Sequence, residues 1–172
     1  MSWWKTALYD TCSLITIDKL LQDRPGLSRW FPKKFLALGV SLSADQMYAE
    51  TAERMKEIVE YCALPTPTEL AGLLSSVRLS KALADVDKLV FATAVHSDLA
   101  VVTGDKRLAK AVQQQGLEVG NVAVILLELV ATKKLKSSAV EKMLQDLADR
   151  KDYLLGMPKP TWNDLKDYRF PD

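Results

Sequence analysis

Short apolar runs alternate with longer segments of helical period along most of the chain. Residues 6–10 form a short apolar run that ends in an acid, Asp10, and predict a first strand. Leu14, Ile17, Leu20 and Leu21 then share one face of a helix over 11–22, which Pro25 and Gly26 end. Residues 35–42 predict a second strand, with Ser43 as the cap of the helix that follows. Met47, Thr51, Met55, Ile58 and Cys62 recur at helical spacing, Pro65 and Pro67 interrupt, and 69–77 predicts another helix. Leu89, Val90, Thr93 and Ala94 put 86–95 in helical register, and His96, Ser97 and Asp98 turn the chain into a β-branched strand at 99–103. Residues 106–115 read as a helix stopped by Gly116, and 118–124 as a fourth strand. Strands and helices alternating in this way predict an α/β fold, a parallel sheet covered by helices on both sides.

Beyond residue 125 the period stays helical to about 155. Ser137 and Ser138 followed by Glu141 resemble a capping signal, and Val140, Met143, Leu144 and Leu147 form an apolar stripe. Residues 156–172 hold three prolines with Trp162, Tyr168 and Phe170. Leaving three aromatics exposed is costly, so this tail reads as a strap along the domain, with an interaction arm as the alternative.

Composition narrows the partners. Lys plus Arg number 23 against 22 Asp plus Glu, for a net charge of +1, with 48% apolar and 26% charged residues among 172. That is the balance of a globular domain, and it speaks against a DNA-coating protein or an acidic disordered tail. Nucleic acid remains open as a substrate held by a local basic rim. The run from Val122 to Leu127 is far short of the roughly 20 residues that cross a bilayer. One His and two scattered cysteines, Cys12 and Cys62, exclude a structural zinc site. Reduced thiols are expected in preference to a disulfide. The opening Met-Ser-Trp-Trp-Lys lacks the charged head and apolar core of a signal peptide, and a cytoplasmic protein without membrane contact is expected.

Ligands in parallel sheets bind outside the carboxyl ends of the strands. Asp10 ends the first predicted strand, Asp105 follows 99–103 after Gly104, Asp87 opens the helix before that strand, and Glu50 lies on the helix after the second. Any one of these could be a helix cap or turn residue. Several at one sheet edge would repel one another unless a cation sits among them, and an all-carboxylate set suits Mg²⁺ or Mn²⁺.

These residues resemble a known family. Ala7-Leu8-Tyr9-Asp10-Thr11 looks like the opening strand of PIN-domain nucleases. Asp87-Lys88-Leu89-Val90-Phe91-Ala92-Thr93-Ala94 and, shortly after, Val101-Val102-Thr103-Gly104-Asp105 are similar to the family's second and third signatures. The resemblance implies a three-layer αβα sandwich with a mostly parallel sheet of four or five strands. It implies a nuclease domain over 1–130, with 131–172 a helical and aromatic extension packed on or beside it. It implies metal-binding carboxylates at Asp10, Asp87 and Asp105 and a fourth at Glu50, with Asp45 as the alternative if Ser43 caps the helix. Glu50 also shares a charged stripe with Glu53, Glu57 and Glu60 that reads as a solvated face.

The implied activity is that of a Mg²⁺- or Mn²⁺-dependent ribonuclease, with Thr103 bonding a carboxylate or the attacking water. The family includes VapC-type toxins, so an antitoxin protein and a homodimer are candidate partners beside RNA. Lys33 and Lys34, Lys106 and Arg107, and Lys133, Lys134 and Lys136 are candidate phosphate contacts or solvated surface. Two positions depart from the family pattern. Cys12 stands where Asn or Ser is common, with Ser13 beside it, and Gly104 stands where a basic residue is common. His96 reads as a surface turn residue, Asp85 as a helix-start charge and Asp98 as a turn residue.

The alternative within the family is a domain that binds RNA or a partner protein without cutting. Other α/β enzymes fit poorly. A dehalogenase-type phosphatase needs an acid where Cys12 stands, and dinucleotide or phosphate-loop folds need glycines that Thr11, Cys12 and Ser13 do not supply.

Overall fold

Residues that alternate along five short strands divide the apolar side chains between two faces of one sheet. A computed structural model describes all residues, 1–172. The strands are β1 (Leu8–Tyr9), β2 (Phe35–Ala37), β3 (Val59–Tyr61), β4 (Val101–Val102) and β5 (Val119–Gly120). All pairings are parallel, in the order β3-β2-β1-β4-β5. Leu8 and Val101 face one layer, with Val90, Phe91, Leu108 and Val112. Tyr9, Val102, Phe35 and Ala37 face the other, with Ile17, Ile125 and Leu144. The period of two thus builds a three-layer α/β sandwich.

Eight helices cover the sheet. One side carries α1 (Thr11–Asp23), α2 (Ala49–Lys56), α6 (Val122–Ala131), α7 (Ser137–Asp149) and the short α8 (Trp162–Lys166), all contributing to the larger core. The other carries α3 (Pro67–Ser76), α4 (Asp85–Ser97) and α5 (Lys106–Gln114) around the smaller core. No helix is long and apolar enough to cross a membrane.

Local chemistry sets several of these boundaries. Asp10 caps α1, Asp105 caps α5 and Asn121 caps α6, each accepting a backbone N–H of the first turn. Thr66 and Glu69 form a reciprocal capping box on α3. Asp98 ends α4 in the left-handed conformation, at φ 53°. At Gly120 a Cβ would come within 2.8 Å of the Trp3 ring, so that strand end needs glycine for the ring to close over it.

The structure departs from the expected elements in five places. The helix expected through 47–62 stops at Lys56, and Val59–Tyr61 is an additional strand, β3, paired with β2. β3 is an edge strand with only Val59 buried, so Glu60 and Tyr61 hide the alternation. The second strand is confined to Phe35–Ala37 and passes into a 3₁₀ turn at Gly39–Leu42, which Ser43 closes, while α2 begins only at Ala49. The fourth expected strand shrinks to Val119–Gly120 because Asn121 starts α6 at once. The helical stretch to 155 is two helices broken at Lys133, where φ is +58°. Finally, α7 starts without a side-chain cap, and Glu141 instead accepts the Trp162 N–H.

The C-terminal segment lies on the body as a strap. Leu165 is fully buried in the larger core, and Tyr168 Oη accepts a hydrogen bond from Asn121 Nδ2 at 2.8 Å. Lys106 Nζ pairs with the Asp172 carboxylate at 2.6 Å.

Phe91 is the largest side chain of the smaller core and holds α4, which carries Asp87, against the sheet. Phe91→Ala is expected to cost about 3–5 kcal/mol of unfolding free energy. Urea titration followed by circular dichroism measures it, and a loss under about 1 kcal/mol, the size of an ordinary surface change, would contradict this packing.

Candidate active site

Asp10 leaves the carboxyl end of β1 and turns straight into α1. Its carboxylate is 2% exposed. One oxygen accepts the Ser13 N–H at 2.8 Å and the other accepts the Thr103 hydroxyl. Thr103, fully buried beyond β4, also takes the Asp105 N–H on its Oγ1 at 3.0 Å. A single hydroxyl therefore ties the acids of two neighbouring strand ends together. Ser13 Oγ donates to the Val102 carbonyl at 3.1 Å, a second tie between α1 and β4.

Asp105 turns one oxygen to the first turn of α5, accepting from Arg107 N at 2.6 Å and Leu108 N at 3.0 Å. Asp87 sits half-buried in the first turn of α4, which has no side-chain cap. Burial raises the Asp87 pKa to about 6, helped by the negative charges of Asp10 and Asp105. Burial likewise raises Asp10, against the opposing hydrogen bonds from Thr103 and Ser13. Close packing, and then the charges of Asp10, Asp87, Asp105 and Asp152, push the Cys12 thiol up to about 12 although its edge meets solvent. Three carboxylates converge here, and no cationic side chain opposes them at Asp87 or Asp10.

Glu50 is not brought to this cluster. It is exposed, in the first turn of α2 rather than deeper in the helix, since α2 starts six residues after Ser43. With Asp45, also exposed, it lines a separate hollow of about 810 Å³ against α1 that includes none of Asp10, Asp87 and Asp105. That hollow contains a pair missed in the sequence: Asp18, 5% exposed, receives Arg54 Nε and Nη2 at 2.8 Å each. The i-to-i+36 separation leaves no local signal for it.

Of the basic groups, Lys106 and Arg107 follow Asp105 directly. Lys33 and Lys34 precede β2 at the amino end of the sheet, the opposite edge from Asp10. The turn after α6 lies there too, with Lys134 Nζ 5.8 Å from the Trp30 ring. His96 is exposed near the end of α4, 3.9 Å from Glu69. Asp85 pairs with Lys88, and both cysteines are free. Gly104 has no conformational need for glycine, because an added Cβ would meet Cys12 Cβ at an ordinary 3.9 Å.

No three His, Cys, Asp or Glu side chains lie close enough to enclose a metal ion by themselves. The donor set nevertheless suits a hard divalent cation: three carboxylates, mutual repulsion and no internal counter-charge. Mg²⁺ in particular binds through one or two carboxylates and keeps several waters. A scan against protein-family models finds no matching family, and a search of curated proteins finds no matching relative.

The raised Asp87 pKa means the folded chain holds a proton that the unfolded chain releases between about pH 4 and 6. Stability contributed by that proton is present below this window and lost as the pH rises through it. At pH 7.5, without metal, Asp87→Asn is expected to gain about 1 kcal/mol, or roughly 3 °C in melting temperature, after allowance for solvent screening. The gain should vanish below about pH 4. Scanning calorimetry at the two pH values checks this, and a variant that melts lower than the parent at pH 7.5 would sink the repulsion account.

Proposed function

We propose that the chain is a metal-dependent ribonuclease of the PIN-domain type, hydrolysing RNA phosphodiester bonds. The observation that carries this reading is the meeting of Asp10, Asp87 and Asp105 at the carboxyl edge of the parallel sheet with no cation of the protein among them. Asp10 and Asp105 also cap helices, but the mutual repulsion of the three charges does not help folding, so a bound cation is the simplest purpose of the charge.

A divalent cation held by one or two of Asp10, Asp87 and Asp105 would polarise a phosphoryl oxygen and lower the pKa of the attacking water. The protein's own groups position and exclude. Thr103 and the Ser13 N–H hold the Asp10 carboxylate in one orientation, and the α5 amide groups do the same for Asp105. Thr103 and Ser13 are buried and donate to Asp10 and to the Val102 carbonyl, so neither presents its oxygen to a substrate. Hydrolysis by water is the simplest chemistry for the site. Arg107, exposed in the first turn of α5, is the basic group left for a substrate phosphate near Asp105, since Lys106 pairs with Asp172.

The placement of Glu50 favours a second reading, an RNA- or protein-binding domain without catalysis, because the fourth acid is absent from the cluster. Mutagenesis separates the two. Asp10→Asn, Asp87→Asn and Asp105→Asn should each lower Mg²⁺- or Mn²⁺-dependent cleavage of single-stranded RNA by at least about 100-fold. Glu50→Gln should stay within about threefold of the parent. Cleavage that persists in excess chelator, or in all three Asn variants, would remove the hydrolytic reading.

A further inference from the structure

A cavity of about 470 Å³ opens beside Asp105 and Cys12, and Tyr153, Tyr168 and Phe170 form part of its wall. Its size lies within the roughly 300–1,000 Å³ typical of small-ligand sites. None of the three aromatics is buried in the core: Tyr153 is 48% exposed, and Tyr168 and Phe170 are half-buried. The rings of Tyr168 and Phe170 are stacked, with centroids 6.4 Å apart and planes 19° from parallel. Asn121, itself 2% exposed, fixes the stack to the body by donating to Tyr168 Oη at 2.8 Å. Partly exposed aromatic rings along a cavity wall are what a planar heterocycle stacks against.

The charges of the wall decide which part of a nucleotide fits. Lys106 is the one cation lining the cavity, and Asp172 already pairs with it at 2.6 Å. Asp105 supplies negative charge, while Asp152 is paired with Lys19 at 3.0 Å. A phosphate or an acidic peptide segment would therefore find no free cation and would face the Asp105 carboxylate, whereas an uncharged base would not be repelled.

We propose that this cavity is a nucleobase subsite, in which Tyr168 and Phe170 stack on one base of a single-stranded RNA beside the scissile phosphate. The choice of RNA as the ligand rests on the ribonuclease reading above. Stacking is tolerant of base identity, so the subsite positions the strand and recognises an unpaired base as such. The strap from α7 through α8 to Phe170 is then a functional wall of the site.

The test is binding of the full chain to a labelled pentaribonucleotide and to the same oligomer with one central abasic position. Fluorescence anisotropy is read in chelator and in Ca²⁺. The parent should bind the complete oligomer about tenfold more tightly than the abasic one. Phe170→Leu should erase that difference, and Phe170→Tyr, which keeps the ring, should preserve it. A difference that survives Phe170→Leu, one lost in both variants, or no binding preference in the parent overturns the subsite. Base-dependent binding without metal-dependent cleavage would uphold the subsite and remove the hydrolytic reading. Cleavage with no dependence on the Phe170 ring would do the reverse.

Discussion

A carboxylate buried at the crossing of β1, α1 and β4 is the constraint around which this molecule is arranged. Burial alone would drive Asp10 toward its neutral form, and the Ser13 amide and Thr103 hydroxyl only partly offset it. Those two donors also fix where α1 starts and how β4 sits against β1. The neighbouring acids add repulsion that hydrogen bonds cannot cancel, because a donor satisfies a lone pair without removing a net charge. The sheet edge is therefore held together by geometry and left electrostatically unfinished.

The long, strongly patterned parts of the fold were legible from the residue order. The helix at Thr11–Asp23 shows three-four spacing of Leu14, Ile17 and Leu20, and β4 is β-branched and followed by Gly-Asp. Asp10 and Asp105 could be named because each stands between a strand and the helix after it. Asp87 could be named because it opens the helix that leads back into β4, so that the alternation of elements aims all three at one edge. Glu50 could not be placed with the same security. Its position depends on where α2 begins, and the 3₁₀ turn at Gly39–Leu42 delays that start beyond what Ser43 implies. β3 was invisible for another reason. An edge strand three residues long with one buried side chain carries too little periodicity to compete with a helical pattern running into it.

Pairs far apart in sequence were equally silent. Asp18 with Arg54, and Asn121 with Tyr168, are made by packing that no local window contains. The distribution of charge belongs to the same class. A net charge of +1 says little about where the charges lie. Asp10, Asp87 and Asp105 gather at the carboxyl edge of the sheet, while Lys33, Lys34 and Lys134 lie toward the amino edge. A total near neutral thus coexists with a strong local field at the acids.

Three strand ends in this fold are followed by a helix whose first turn is capped by a side-chain oxygen: Asp10, Asp105 and Asn121. Asn121 does the structural task with a neutral amide, and Asn and Asp are about equally good caps. The fold thus contains its own control. Where only a cap is required an uncharged residue suffices, so the negative charges at the other two positions exceed what folding asks of them.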